Sequence, residues 1–496
     1  MTGTKHILFI AGFLLFAIFL GMLVGLGAGI PLIAIIVLVC GLIATMVDYR
    51  VGVILVVVMM PLAATVLMPR QMLGIPGFTP LNIVLAGTLG AALLSGIVGR
   101  KWLAPVPWRL FAPIIFLLTT GALIGMGKVH NIAPHYYLNT PTLYTTASAY
   151  LVAELIKPLL ILVAVWLLCA AVAQSEKPQR WVALVGVSIV MLPILVFLVA
   201  ALSGLSLREM ASPAARTFLN ATGLHANELA VELLPAYAAA LFMFPSYRSL
   251  NAKIWGAAVM GATVLALVLT FSRAAFLGVI LVTFAFFFLR GSYRYIFAGV
   301  LVFAVVAVVL PDSIVERATT GMGQKGTIGA HNDPLTAGRV RGIWLPLLPD
   351  VAKHPILGDG TSSILWSTPA RQGLIVEGHP HNAYLRLVKD HGLVGIPIIG
   401  YFLLQVWRLF RRLARDETQP PLVRAYFNGM AVALLVFFVQ CMSGTRLIFE
   451  LLHVFYWLAI AIGLGLEARK LRLTQQGERK AALRWNAFNG AVRAVY

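Results

Sequence analysis

Apolar residues fill this chain in long unbroken blocks with short polar breaks between them, and each block has the length of a bilayer crossing. A membrane helix takes about 20 consecutive apolar residues, and about fourteen such runs are present. They lie at 7–28, 30–47, 51–67, 82–98, 110–126, 151–172, 181–202, 229–244, 254–271, 274–289, 295–310, 393–409, 425–441 and 448–466. The blocks are continuous rather than alternating, which excludes a membrane barrel. The pattern therefore predicts an all-α integral membrane protein with about 12–14 transmembrane helices. Composition agrees, because a chain with 60% hydrophobic and 11% charged residues has too little polar surface for a soluble fold of this size. The first run is long and the second follows without a small-residue cleavage site, so no cleavable signal is expected.

The net charge of +20 would suggest nucleic acid only if the basic residues formed one exposed patch. They fall instead in short loops that follow even-numbered runs: Arg100, Lys101 and Arg109; Lys177 and Arg180; Arg248 and Lys253; Arg290 and Arg294; Arg408, Arg411, Arg412, Arg415 and Arg424. A basic tail with Arg469, Lys470 and Arg472 continues the series, while Arg70 and Lys128 stand outside it. Membrane lipids are then the expected surroundings, nucleic acid is not a partner, and the positive-inside rule puts these loops and both termini in the cytoplasm. The predicted organisation is membrane helices over 1–310, one large extracytoplasmic loop over 311–392, further membrane helices over 393–466 and a cytoplasmic tail over 467–496. The loop holds helix-like stretches at 338–351 and 382–391, the second opened by Asn382 as an N-cap. Long structured loops in compact proteins usually carry function. Cys40, Cys169 and Cys441 lie on three separate apolar runs and read as buried thiols.

Three segments on the extracytoplasmic side concentrate polar residues. The first runs from Arg216 through Gly223 to Asn227 and Glu228, where Asn227 has the look of a helix N-cap, and a helix N-terminus attracts anions. The second is Thr270-Phe271-Ser272-Arg273, which reads as two helices meeting in a turn. A charge at the centre of a membrane helix costs roughly 2.5–3.5 kcal/mol, so Arg273 must be paired, wet or at work. The third holds His379, His381, Asn382, Gly392 and Gly395 where the long loop returns to the membrane. Each has a plain structural reading when taken alone: a solvated arginine beside a capped helix, a snorkelling arginine, a packed histidine.

Taken together, the segments suit a lipid-borne diphosphate. A guanidinium fork binds phosphate oxygens in pairs and stays charged. An imidazole with an ordinary pKa near 6.5 is a natural base for a sugar hydroxyl. No carboxylate pair completes a ligand set with His379 and His381, so neither a metal nor another cofactor is expected. Asp-x-Asp, Walker, Gly-x-Ser-x-Gly and His-Glu-x-x-His motifs do not occur. Arg446 and Glu450, at i,i+4 in the last run, read as a paired structural charge or as a wall of a glycan groove.

His381-Asn382, followed after nine residues by Gly392 and two residues later by Gly395, resembles the signature of the O-antigen ligases. Thr336-Ala-Gly338-Arg339 with Trp344, and His354-Pro355-Ile-Leu-Gly358-Asp-Gly360, look like the long loop of the O-antigen ligase and polymerase superfamily. Thr270-x-Ser272-Arg273 and Arg216 with Gly223 and Asn227 look like its two arginine motifs, so the similarity covers roughly residues 200–465. The resemblance implies a GT-C-like, metal-independent, inverting glycosyltransferase in the bacterial inner membrane with its active site at the periplasmic face. It implies an undecaprenyl-diphosphate-linked glycan as donor and a lipid A-core or a further glycan as acceptor. By that similarity Arg216 and Arg273 hold the diphosphate and His381 activates the acceptor hydroxyl. Asn382, Asn227, Arg339, Arg341 and His379 are the expected substrate-binding residues, and Gly392 and Gly395 let the loop helix pack closely on the membrane domain.

Three readings compete. A ligase and a polysaccharide polymerase need the same donor clamp and base, so their motifs do not separate them. A lipid-linked glycan flippase or transporter would show two related halves with charges near the midplane. The informative residues cluster at one face instead.

Overall fold

A computed structural model describes residues 40–68, 71–72, 75–77, 79–98, 104, 106–139, 144–204, 209, 213–291, 336, 338–444 and 446–495, with the side chains of 71–76, 213–217 and 479–495 outside that description. The fold is all-α, as the apolar pattern predicts. Among the described residues it is interrupted only by a two-residue antiparallel ladder pairing Gln71–Met72 with Ile75–Pro76. The helices used below are α1 (Tyr49–Met59), α2 (Pro80–Val98), α3 (Trp108–Met126), α4 (Ala147–Gln174), α5 (Gln179–Leu202), α6 (Ala226–Met243), α7 (Leu250–Leu269) and α8 (Arg273–Leu289). They continue with α9 (Leu345–Lys353), α10 (Ala383–His391), α11 (Gly395–Arg415), α12 (Pro421–Gln440) and α13 (Val454–Val495).

Eight helices among the described residues are long and apolar enough to cross a membrane: α2 to α7, α12 and the stretch Leu451–Glu478 that opens α13. This is a multi-pass membrane protein. Helices α1 and α8 are apolar but shorter. The expected runs at 7–28 and 295–310, and most of 30–47, lie outside the described residues. The run at 393–409 differs from its neighbours. It forms α11, about 30 Å long at 1.5 Å per residue. Ile399, Phe402, Leu403, Val406, Leu409, Phe410 and Leu413 are buried along one stripe of it, and arginines gather at its C-terminal end.

Contacts divide the chain into two units, the described residues of Met1–Val56 with Pro69–Trp102, and those of Val57–Met68 with Leu103–Tyr496. Small residues draw the first unit's helices together: a side chain at Gly52 would run into Thr45 and Thr88. Cys40, expected to be buried, is exposed there. The second unit is built around α6, which packs against α5, α7, α8, α12 and α13 and is buried on nearly every side. Helix α13 lies against α4, where a Cβ on Gly465 would stand 2.6 Å from Val172. Lipid tails supply no hydrophobic drive between such helices, so close van der Waals packing holds them.

The long loop has its own core. Ile343, Leu347, Ile364, Leu365, Trp366, Ala370 and Ile375 pack with Val129, Ile132, Tyr136 and Tyr150. Hydrogen bonds fasten this cap to the helices beneath: Thr361 N–H to the Gly121 carbonyl at 2.9 Å, and Tyr150 OH to the Thr361 carbonyl at 2.7 Å. The expected loop helices form as a π-turn at Val340–Trp344 running into α9, and as α10. Residues 311–335 and 337 lie outside the described residues.

Candidate active site

Three helix N-termini meet at one pocket. Asn227 and Glu228 line it from the first turn of α6, Ser272 and Ala274 from the start of α8, and His381 from the approach to α10. At α10 the first N–H groups are taken by Asn382 and the Cys441 carbonyl, and at α6 that of Asn227 is taken by His225, so what these ends bring to the pocket is chiefly the macrodipole, about half a positive charge apiece. The three sequence segments singled out for their polar residues thus converge. His379, Gln440, Ser443 and His453 complete the wall.

Arg273 is the first residue of α8, between two pocket-lining neighbours, and is half-buried. The turn before it is strained, since Phe271 takes a φ of 46°. His381 has a φ of 51°, and Ser362 in the long loop is the third non-glycine residue in this region of backbone space among the described residues. Such conformations cost of order 1–3 kcal/mol each and persist only where the surroundings enforce them. For His381 the enforcement is visible. Trp344 Nε1 donates to the Pro380 carbonyl at 2.8 Å, Ala383 N–H to the Cys441 carbonyl at 2.9 Å and Tyr384 OH to the Phe438 carbonyl at 2.7 Å. Asn382 is the N-cap of α10, accepting from the N–H groups of Tyr384 and Leu385 at 3.0 Å each.

The rings of His379 and His381 lie 4.1 Å apart. Burial, then the charges of Arg339 and His225, pushes His381 down to about 3. Burial and the His381 neighbour hold His379 well below the ordinary imidazole range. Both rings are therefore neutral at pH 7, and the His381 Nδ1 is buried with no hydrogen-bond partner. No three His, Cys, Asp or Glu side chains among the described residues converge as a metal site.

Other expectations shift in detail. The cap of α6 is His225, not Asn227: His225 Nδ1 accepts from Asn227 N–H at 3.2 Å, and Glu228 Oε2 accepts from His225 N–H at 2.9 Å. The helix begins two residues earlier than an Asn227 cap requires, and Asn227 lines the pocket instead. Arg216 lies on the 3-10 segment Pro213–Thr222, packed against α5 and α6, and its side chain lies outside the described residues. Arg339 is half-buried and close enough for its charge to reach His381, while Arg341 is exposed. Gly392 has a φ of +64°, and a Cβ there would stand 2.2 Å from the Ile356 carbonyl oxygen. The close approach it permits is within the loop. The tight seat on the membrane helices is at Gly360, where a Cβ would stand 2.4 Å from the Gly125 backbone nitrogen.

Arg446 and Glu450 do not belong to a helix, because the last helical stretch begins only at Leu451. The pair does form, and Arg446 also binds Glu154 of α4, Nη1 to Oε2 at 3.1 Å and Nη2 to Oε1 at 3.3 Å. Tyr144 OH donates to the same carboxylate, and Ser362 Oγ bridges to it at 3.1 Å. Arg386 reaches Ser362 Oγ at 3.2 Å and Asp390 at 3.3 Å, and Asp390 accepts from the Ser362 and Ser363 N–H groups. This network ties α4, the long loop and the segment before α13 together. Lys128, the stray cation of the charge pattern, pairs with Asp359, which Lys389 also holds at 2.6 Å.

Gln440 lies outside every motif of the sequence. Its amide nitrogen and oxygen are both buried without partners at the pocket wall, and a carboxamide inside the apolar run at 425–441 was the available signal.

Residues 257–400 match the family model described as O-antigen ligase. The match takes in Arg273, the loop helices and the His381 to Gly395 stretch, but neither Arg216 nor Asn227. No curated protein matches the chain.

Proposed function

From a chain that belongs to the O-antigen ligase superfamily, we propose a glycosyltransferase that moves a glycan from a polyprenyl-diphosphate carrier to an acceptor hydroxyl at the membrane face where His381 lies. The observation that carries this is the convergence of three helix N-termini on the pocket lined by the three polar segments. Such a place favours a diphosphate over a neutral ligand. Arg273 stands at one of those ends and is assigned to the diphosphate with Arg216.

The acceptor oxygen attacks the anomeric carbon while the bond from that carbon to the phosphate oxygen breaks. The electron pair leaves with the diphosphate, the acceptor proton passes to His381, and the configuration at carbon inverts. Negative charge grows on the bridging oxygen as the sugar departs, so cations placed there stabilise the transition state beyond the ground state. A neutral His381 with an unpartnered nitrogen is in the protonation state a base needs. Its depressed proton affinity belongs to the ligand-free pocket. A bound dianion beside it favours the imidazolium and moves it toward the working range of a general base. Gln440, with donor and acceptor both free, is assigned to a polar group of the transferred sugar. Arg339, Arg341, His379, Asn227 and Asn382 are assigned to the substrate path.

The test uses purified protein, a synthetic polyprenyl-diphosphate glycan and two acceptors, a lipid A-core and a second carrier-linked glycan, with and without chelator. Transfer should survive the chelator and fall by about a hundredfold or more in Arg273→Ala and His381→Ala. The acceptor that is used separates ligase from polymerase. Equal activity in both variants, or movement of the lipid with no new glycosidic bond, refutes the proposal.

A further inference from the structure

Along the C-terminal half of α11, about 15–30 Å along the helix from Gly395, a cavity of about 440 Å³ opens among Gln405, Trp407, Arg408, Arg411, Arg412 and Arg415. Its hydrogen-bonding character is one-sided. Four guanidiniums and an indole N–H are donors only, leaving the Gln405 amide as the mixed group. Of the four arginines, Arg412 is held by Glu467 at 2.8 Å, whereas Arg408, Arg411 and Arg415 make no ion pair among the described residues. The Trp407 Nε1 is buried without an acceptor. A buried donor left unmatched costs about 1–3 kcal/mol, so a ligand supplying oxygen acceptors there recovers that cost.

The neighbourhood names the ligand's source. One stripe of α11 is packed against α3, α12 and α13, while Tyr401 and Leu404, within one turn of the cavity, are exposed apolar side chains of the kind that face acyl chains. Trp407 and the arginines follow along the helix, the combination of an aromatic ring and long cationic side chains that suits a headgroup layer. We infer that this cavity binds the headgroup of an anionic phospholipid, its phosphate oxygens held by Arg408, Arg411 and Arg415 and by the Trp407 indole N–H. The three guanidiniums outside that ion pair exceed what one phosphodiester neutralises, so a lipid with two phosphodiesters binds more tightly than a lipid with one. The site is separate from the transfer pocket, and its test does not depend on transfer activity.

The experiment is native mass spectrometry of the delipidated full-length protein, titrated with cardiolipin, phosphatidylglycerol or phosphatidylcholine, and in parallel with inorganic diphosphate. Cardiolipin should bind best and phosphatidylcholine least. Each basic side chain at a membrane surface contributes roughly fivefold, so Arg408→Gln/Arg411→Gln/Arg415→Gln should weaken cardiolipin binding by about a hundredfold. Arg248→Gln/Lys253→Gln, exposed cations at the start of α7, should change nothing. Trp407→Phe leaves the charges in place and should weaken binding by about fivefold, which keeps the assignment testable if the triple variant fails to fold. Undiminished cardiolipin binding in the triple variant, or in Trp407→Phe should the triple variant not fold, overturns the site. Diphosphate competing as well as lipid assigns it to a soluble anion instead and overturns the lipid.

Discussion

Arg446→Met removes the hub of the buried network. The guanidinium faces two carboxylates, forked against Glu154 and paired with Glu450, with side-chain exposures of 18%, 5% and 27%. At an effective dielectric of 20, each contact at this separation is worth about 4–5 kcal/mol, and taking each ion out of water costs several kcal/mol. The two nearly cancel while all three groups are present. Removing the arginine leaves the cost of two carboxylates standing without their counter-ion, and the expected loss is about 3–5 kcal/mol. Glu450→Gln alone should cost about 1 kcal/mol or less, because Glu450 is partly wet and Glu154 still neutralises the arginine. The triple variant Glu154→Gln/Arg446→Met/Glu450→Gln should recover most of the loss, since no charge is left unpaired. The Arg446→Met deficit should also shrink in acid. Burial already raises the Glu450 carboxyl and Arg446 opposes that rise, so losing the arginine raises it further. A raised carboxyl gives its full stability below the unfolded value, about 4.3, and loses it as pH climbs through the folded one. Thermal unfolding in detergent, followed by tryptophan fluorescence at pH 4.5 and 7.5, measures all of this. If Arg446→Met costs less than about 1 kcal/mol, or the two added glutamines make it worse, the network does not hold the loop in place as argued.

Two further outcomes follow from the histidines. His379, His381 and His391 are all held below the ordinary imidazole value chiefly by burial, so the unfolded chain binds more protons than the folded one in acid. Stability should be full above about 6.5 and decline as pH falls toward 4. His381→Gln should flatten part of that decline in melting curves, and an unchanged slope contradicts the assignment. His381→Gly relieves a strain of order 1–3 kcal/mol at the cost of about 0.5–1 kcal/mol in unfolded-chain freedom. Its melting temperature should equal or exceed that of the parent while transfer is lost, and a clear drop would show that the imidazole packs rather than waits for substrate.

The parts of the molecule that repeat locally were legible from the residues. Apolar run length marked the crossing helices, Asn382 marked the start of α10, and Thr270 to Arg273 marked a turn between two helices. The misreadings have local causes. Asn227 outranks His225 as a cap by propensity, yet an imidazole nitrogen can also accept a first-turn backbone N–H, here that of Asn227, and Glu228 three residues on completes the exchange. Pairings across hundreds of residues leave no local trace. Glu154 sits in an apolar run with nothing nearby to announce Arg446, and Lys128 looked like a stray until the fold set Asp359 against it. Gln440 was readable as an oddity but not as a wall of the pocket, because that depends on where the end of α12 falls relative to α6 and α8.

The converging helix starts around His381 have one more effect. Fixed dipoles hold a spent carrier at least as firmly as a laden one, because the diphosphate is present on both and gains a negative charge as the sugar leaves. An attraction shared by reactant and product adds nothing to the chemical step, and it slows departure. On the proposed chemistry, escape of the empty polyprenyl carrier sets the pace, and free carrier added to the membrane acts as a competitor of the donor.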